Sequence, residues 1–515
     1  MSFSSCGTED GTNYIFKTVI YGNPETLDPQ TATGESSDAV ISSMFRGLYR
    51  IDENGETVPD MAESCQVSED GLTWTFTLTD NVYWTDGGDF TAKCTAEDFV
   101  FAFRRLINPA TKSKNAEKYY CIKNSEEINK GRLTDIEALG VKSEGYNRLI
   151  FTLREEYPDF RRLLAENSSM PCNEEYFYST EGRYGLYDDA VASNGDFCVT
   201  VWSYDEWSDN SNYIILRKNK KNSEASPTAP YGINYFIMHS GFDAMINEEI
   251  HCYAARNSRE SEELKNRFSY KEYETSVWGI VFNGETIGAE RDIRIALGAL
   301  SDTEIESGSY ITAENIIPDF ITVKGESYRE TAGDILPSEY SLSELKERFE
   351  GSIGKIDKEK LSGIRMIMPE NEEIRAAVGG ILQKWQKHYG FYCSVSELQT
   401  DEYNRRIDNG DFDIAVVRLS GGENSPSGYL SYFSGNTPVN PDNRKYEHIL
   451  NSAEGAENAE EAIAYYKEAE QYLSDNCIFV PLCSEREYVF YSDGISGVEY
   501  NPFNGIFRFK NALKK

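Results

Sequence analysis

Between Tyr21 and Pro109 the chain reads Y-G-N-P-E-T-L-D-P-Q at 21–30, M-F-R-G-L-Y-R-I-D-E-N-G-E-T-V-P-D-M-A-E-S at 44–64, S-E-D-G-L-T-W-T-F-T-L at 68–78, W-T-D-G at 84–87 and T-A-E-D-F-V-F-A-F-R-R-L at 95–106. The order of turns, short strands and one capped helix decides the fold reading. Trp74, Phe76 and Leu78 alternate with threonines, the period of a half-buried strand. Asn54-Gly55 is a tight hairpin signal between Leu48–Ile51 and Thr57–Val58. Thr95 and Asp98 have capping-box spacing, ahead of Phe99, Phe103 and Leu106 on one helical face. Upstream, Tyr14–Tyr21 alternates as a strand. Asn23-Pro24 and Asp28-Pro29 are turns, and Ser37 or Asp38 is the expected cap of a helix through Met44 and Leu48.

Outward from this stretch, composition sets bounds. A chain of 515 residues, 39% hydrophobic and 27% charged, is globular and long enough for two or three lobes. Its 34 Tyr and 26 Phe suit both a core and a binding cleft. A net charge of −35 argues against nucleic acid and against an electrostatic grip on anionic lipid. The sequence shows no apolar run that would span a membrane and no apolar leader core. Ten Cys form no C-x-x-C and only four His are present, so no zinc signature appears; free buried thiols are expected. No nucleophile elbow, P-loop, H-E-x-x-H or dinucleotide fingerprint is present, so neither an enzyme nor a cofactor is expected. Asp408–Asp413 is superficially a calcium loop but lacks the twelfth-position Glu.

Six motifs in order (L-D-P, F-R-G-L, P-x-M-A-E-S, S-E-D-G-L-T-W-T-F-T-L, W-T-D-G, T-A-E-D-F) resemble the family 5 extracellular solute-binding proteins of ABC transporters. The likeness continues nearly to the end: Asn194–Phe197 with Trp202 and Ile215–Asn219, Ile280–Asn283, Arg291–Leu297, Gly410–Ile414 and Phe479–Leu482. Between them Glu373–His388 is an amphipathic helix closed by Gly390 and followed by a strand Phe391–Val395, and Glu460–Leu473 is a further helix. Residues 240–275 and 301–345 fit poorly.

The resemblance implies a bilobal α/β fold of the periplasmic-binding-protein type (type II, the large peptide-binding class). Residues 1–44, 190–276 and 481–515 would form the first lobe, 45–189 a subdomain inserted in it, and 277–480 the second. Chain crossings near Val277–Phe282 and Phe479–Leu482 would form the hinge. It further implies an extracytoplasmic component of an importer that captures oligopeptides or dipeptides in an interlobe cleft by hinge closure. The component would be a monomer, delivering ligand to a membrane permease with its ATPases. The same fold binding a metal chelate, haem or oligosaccharide, and a sensor without transport, are the alternatives. Ser5-Cys6-Gly7 looks like a bacterial lipoprotein junction, so Cys6 would carry a lipid holding the protein at the outer face of the cytoplasmic membrane, or the protein would be periplasmic.

For the site, the resemblance points to Gly34 and Glu35 in the loop after Asp28-Pro29, to Tyr119, to Phe282 and Asn283, and to Arg418, Ser420, Gly422, Glu423 and Tyr429. In peptide binders of this family an Asp opens the last loop and pairs with the ligand's ammonium. Here that position is Gly422. Either Glu423 reaches back to replace it, or no free ammonium is anchored. Arg418 pairs with a ligand carboxylate or with one of the protein's own acids. Glu35 has the alternative of a solvated acid at a helix start, and Tyr119 that of core packing.

Overall fold

Period-two alternation sets the first strand: Ile15–Ile20 buries every second residue. It pairs in parallel with Gly232–Ile237, which is antiparallel to Tyr213–Lys218, itself antiparallel to Phe197–Ser203. The computed structural model describes residues 14–157, 159–207, 212–222, 230–255, 257–335, 338–356, 363–435, 437–441 and 443–515. Cys6 lies outside them.

The chain divides into two units. Unit 1 runs to Ala254 and adds Arg267–Ser269 and Val489–Lys515; unit 2 comprises Ala255–Asn266 and Tyr270–Tyr488. The chain therefore changes unit inside the long strands Ser269–Phe282 and Phe479–Tyr491. The crossings expected from sequence fall in the same two strands, but at their opposite ends.

Unit 1 holds the four-stranded sheet above and a second, antiparallel one in the order Ala62–Val67, Thr73–Leu78, Arg148–Thr152, Val141–Glu144. Strand Thr73–Leu78 has the alternating burial that its threonines predict. Helix Ala96–Ile107 packs on this second sheet. Its capping box forms as the spacing dictates, Thr95 taking the N3 amide and Asp98 the Thr95 amide. The hairpin Tyr49–Ile51/Thr57–Pro59 forms around Asn54-Gly55, with Gly55 at φ 78°. The first helix departs from expectation. It spans Glu35–Met44 and its cap is Gly34, at φ 100°, in place of Ser37 or Asp38.

Unit 2 is built on one sheet whose order is Glu306–Ser307, Tyr310–Thr312, Phe479–Tyr491, Ser269–Phe282, Ile414–Ser420, Arg365–Pro369, Ser394–Leu398. Helix Glu372–Tyr389 starts at an Asn371 cap and ends at Gly390 in the left-handed region, φ 64°. Its apolar face buries Ile374, Val378, Ile381 and Trp385 against Ile280, Phe282 and Val416. The strand after it begins at Ser394, later than expected; Phe391 and Cys393 are instead spent on that core. All nine described cysteines are free thiols, seven of them buried. Among the described residues no helix is long and apolar enough to cross a membrane.

Candidate functional site

In unit 2 strand Ile414–Ser420 buries its first four residues and then exposes Arg418 and Ser420. Cross-strand register places Trp278 opposite Arg418 and Ser276 opposite Ser420. Further along the same strands Ile280, Phe282, Ile414 and Val416 sit in the helix-covered core. One sheet face thus passes from apolar to polar within a few residues.

The polar end is organised by Glu485 on the neighbouring strand Phe479–Tyr491. A single oxygen, Oε2, accepts from Ser276 Oγ at 2.8 Å, Trp278 Nε1 at 3.3 Å and Arg418 Nε at 2.7 Å. Only the last of these reaches the guanidinium, and this charge-assisted bond orients it through Nε. Among the described residues neither Nη of Arg418 has a hydrogen-bond partner, and the side chain is 43% exposed. What results is an oriented cation with an open, forked edge, the geometry that receives a carboxylate. Tyr310, across the strand from Glu485, is pushed up to about 12 by burial and by that carboxylate, so it stays a neutral hydroxyl.

Beyond Ser420 the chain makes a glycine-dependent turn. A Cβ on Gly428 would lie 2.0 Å from the Gly421 carbonyl oxygen, and one on Gly421 would lie 2.3 Å from the Tyr429 ring. Gly422 sits at φ 63°, where glycine is favoured. Nothing lies within 4 Å of a Cβ placed on Gly422, so the turn is open at this glycine. Asn424 pins the loop, exchanging hydrogen bonds with Thr322 at 2.7 and 2.8 Å. Ser425 then caps the short helix Pro426–Leu430.

In unit 1 the loop before Gly34 is clamped from below. Arg105 donates to both oxygens of Asp28, at 3.2 and 2.5 Å, and to Gln30 Oε1 at 2.8 Å. Its guanidinium lies 4.0 Å from the Phe177 ring centroid. Ser113 and Asn115 hold the carbonyls of Gln30 and Ala32. Gly34 and Glu35 emerge exposed at the top of this clamp, with nothing within 4 Å of a Cβ on Gly34.

The expected residues thus separate into two groups. Arg418 and Ser420 share the exposed end of one strand in unit 2, with Gly422 and Glu423 in the loop that follows, and Gly34 with Glu35 lies in unit 1. The other side chains are enclosed. Tyr119 is fully buried, its hydroxyl 2.9 Å from Ser168 Oγ. Phe282 is in the core beside Trp385. Asn283 Nδ2 donates to the carbonyls of Gly410 and Phe412. Tyr429 is buried and its hydroxyl reaches the Thr275 carbonyl at 3.4 Å. Sequence reading missed Glu485, Ser276 and Trp278. The only hint was the polar alternation C-S-E-R-E at 483–487 inside a strand. At the calcium-loop look-alike, Asp411 and Asp413 are taken by Arg365, through its Nη1 at 3.0 Å and its backbone amide at 2.9 Å.

Residues 56–441 match the bacterial extracellular solute-binding proteins, family 5, middle region. The chain belongs to this family. Among its family 5 relatives, the oligopeptide-binding protein OppA of Bacillus subtilis is 25% identical over 525 residues, covering 96% of this chain and 92% of the relative. A dipeptide-binding protein of Lactococcus lactis is 22% identical, covering 99% and 96%. The unliganded open form of the murein tripeptide-binding protein MppA superposes with a TM-score of 0.77 at 20% identity, over 98% of this chain and 97% of that one. Listeria monocytogenes OppA bound to peptide gives 0.63 at 21% identity, over 98% and 99%. The fold is that of the bilobal periplasmic peptide-binding proteins, mixed α/β as the sequence implied.

Proposed function

We propose that this protein is the extracytoplasmic binding component of an ABC importer and that it captures oligopeptides or dipeptides without chemical change. The observation that carries the ligand reading is Arg418, held through Nε by Glu485 with its Nη edge open. A peptide with a free C-terminus brings a carboxylate, and a forked, pre-oriented guanidinium is suited to it. Ser420, two residues on along the same strand face, and Gly422 and Glu423 in the following loop are the further candidate contacts in unit 2, and Gly34 with Glu35 is the candidate contact in unit 1. In this reading the anchored group is the acidic end or an acidic side chain of the peptide, held at Arg418. The family's kinship with oligopeptide- and dipeptide-binding proteins supports the substrate class. Delivery to a permease with its ATPases, action as a monomer and lipidation at Cys6 complete the proposal.

Thermal shift with peptide pools, oligosaccharides and haem tests it. Peptide pools are expected to raise Tm while the other two leave it unchanged, because a ligand bound only by the folded state stabilises it. A shift from haem or sugar alone, with none from saturating peptide, would overturn the peptide reading. Metabolic labelling with a fatty acid, lost in Cys6→Ser, tests the anchor.

A further inference from the structure

The strand that carries Glu485 has a second role at its start. Phe479–Leu482 forms one wall of a cavity of about 520 Å³ within unit 2. The other walls are the end of helix Arg291–Gly298, the stretch Thr312–Ile316 and the C-terminal turn of helix Ala459–Asp475. The volume lies in the range of small-molecule sites, roughly 300–1,000 Å³. The interior is apolar, with Ala313, Ile316, Ile335, Phe479, Val480 and Leu482.

The charge around it is one-sided. Asp302, Glu314, Glu339, Glu470 and Asp475 line the cavity, and among the described residues no Lys, Arg or His does. Three of these acids are already engaged. Glu470 is enclosed and satisfied by the amides of Ile316 and Ile317, the Tyr328 hydroxyl and Arg329. Asp302 binds Lys384 at 2.8 Å, and Asp475 accepts from Ser338 and Gln471. Glu314 and Glu339 are left, with no cation partner among the described residues. Tyr340, next to Glu339 in the chain, also lines the cavity, and its ring attracts the Arg348 guanidinium at 4.8 Å.

We propose that this cavity is a second ligand site, distinct from the Arg418 edge, and that it takes a small organic cation with a hydrocarbon body and one ammonium group. The body fills the apolar interior, and burial of its surface drives association. The ammonium stays at Glu314, Glu339 and Tyr340. Glu314 and Glu339 stand exposed at the cavity's rim, and their like charge disfavours an anion of the same shape.

Three probes with one skeleton test this on the full chain by calorimetric titration: 4-phenylbutylammonium, 4-phenylbutan-1-ol and 4-phenylbutyrate. The ammonium is expected to bind at least tenfold more tightly than the alcohol, and the carboxylate more weakly than either. Ala313→Phe, which fills the interior, is expected to abolish binding of the ammonium. Glu314→Gln combined with Glu339→Gln is expected to bring its affinity down to that of the alcohol; these surface changes decide the matter if Ala313→Phe does not fold. No binding of the ammonium, equal binding of all three probes, or ammonium binding unchanged in the glutamine double variant would overturn the proposal.

Discussion

Two arginine–carboxylate pairs mark the two candidate regions, and they are built in opposite ways. In unit 1 Arg105 and Asp28 have side chains only 10% and 6% exposed, and both Nη groups are committed. In unit 2 Arg418 and Glu485 are 43% and 26% exposed, and only Nε is committed. The first pair commits both Nη groups to Asp28, Gln30 and Cys172 Sγ, and so fixes the loop that begins at Asp28. The second spends one donor on orientation and leaves the rest. Residue type does not separate architecture from recognition here; the number of donors left over does.

Breaking the enclosed pair gives the largest effect. Arg105→Met leaves the Asp28 carboxylate buried without its partner, which costs about 3–5 kcal/mol. Urea unfolding is expected to show that loss. Arg105→Lys recovers only part of it, because an ammonium cannot repeat the fork over two oxygens and Gln30.

A buried carboxylate with no cation partner among the described residues sharpens the contrast. Asp98 is 6% exposed, and burial pushes it up to about 6 against the hydrogen bonds from Thr95 and Asn173. With the folded value above the unfolded 3.8, the native state holds the extra proton. Its contribution to stability is full below pH 3.8 and is lost as pH rises through 6. The loss is roughly 3 kcal/mol at most. Asp98→Asn keeps an oxygen for the Thr95 amide and removes the titration. Stability measured at pH 4 and pH 7 is expected to fall less in the variant than in the wild type.

On the unit 2 side, Gly428→Ala sets a methyl against the Gly421 carbonyl, and two backbone segments must part. A cost of roughly 2 kcal/mol is expected by the overpacking argument. Ligand binding should fall with it, because the turn that carries Gly422 and Glu423 moves.

How much of this was legible follows the range of each interaction. The capping box at Thr95 and Asp98, the hairpin at Asn54-Gly55 and the Gly390 cap are all settled within a few residues, and the chain spells them out. Gly34 was passed over as a cap because Ser37 and Asp38 are the usual cap types; the helix starts earlier, at Glu35, with Gly34 at φ 100° as its cap and no side-chain cap bond. Glu485 could not be read as the partner of Arg418. The two lie on separate strands, and in a chain with 86 acids nothing local singles one out. Tyr119, Phe282, Asn283 and Tyr429 were expected at the ligand, and all four are buried. Whether each side chain turns outward depends on packing that the sequence order does not carry.

Replacing Arg418 gives the smallest effect on stability and the most direct test of its assignment. Arg418→Met is expected to change unfolding free energy by under about 1 kcal/mol, as for a half-exposed pair. The decisive measurement is calorimetric titration of wild type and Arg418→Met with one peptide in two forms, free C-terminal carboxylate and C-terminal amide. The wild type is expected to prefer the free acid by tenfold or more, and Arg418→Met to bind both forms alike. A wild-type preference that survives intact in Arg418→Met, or no preference in the wild type, would contradict the assignment of Arg418 as the ligand's carboxylate anchor.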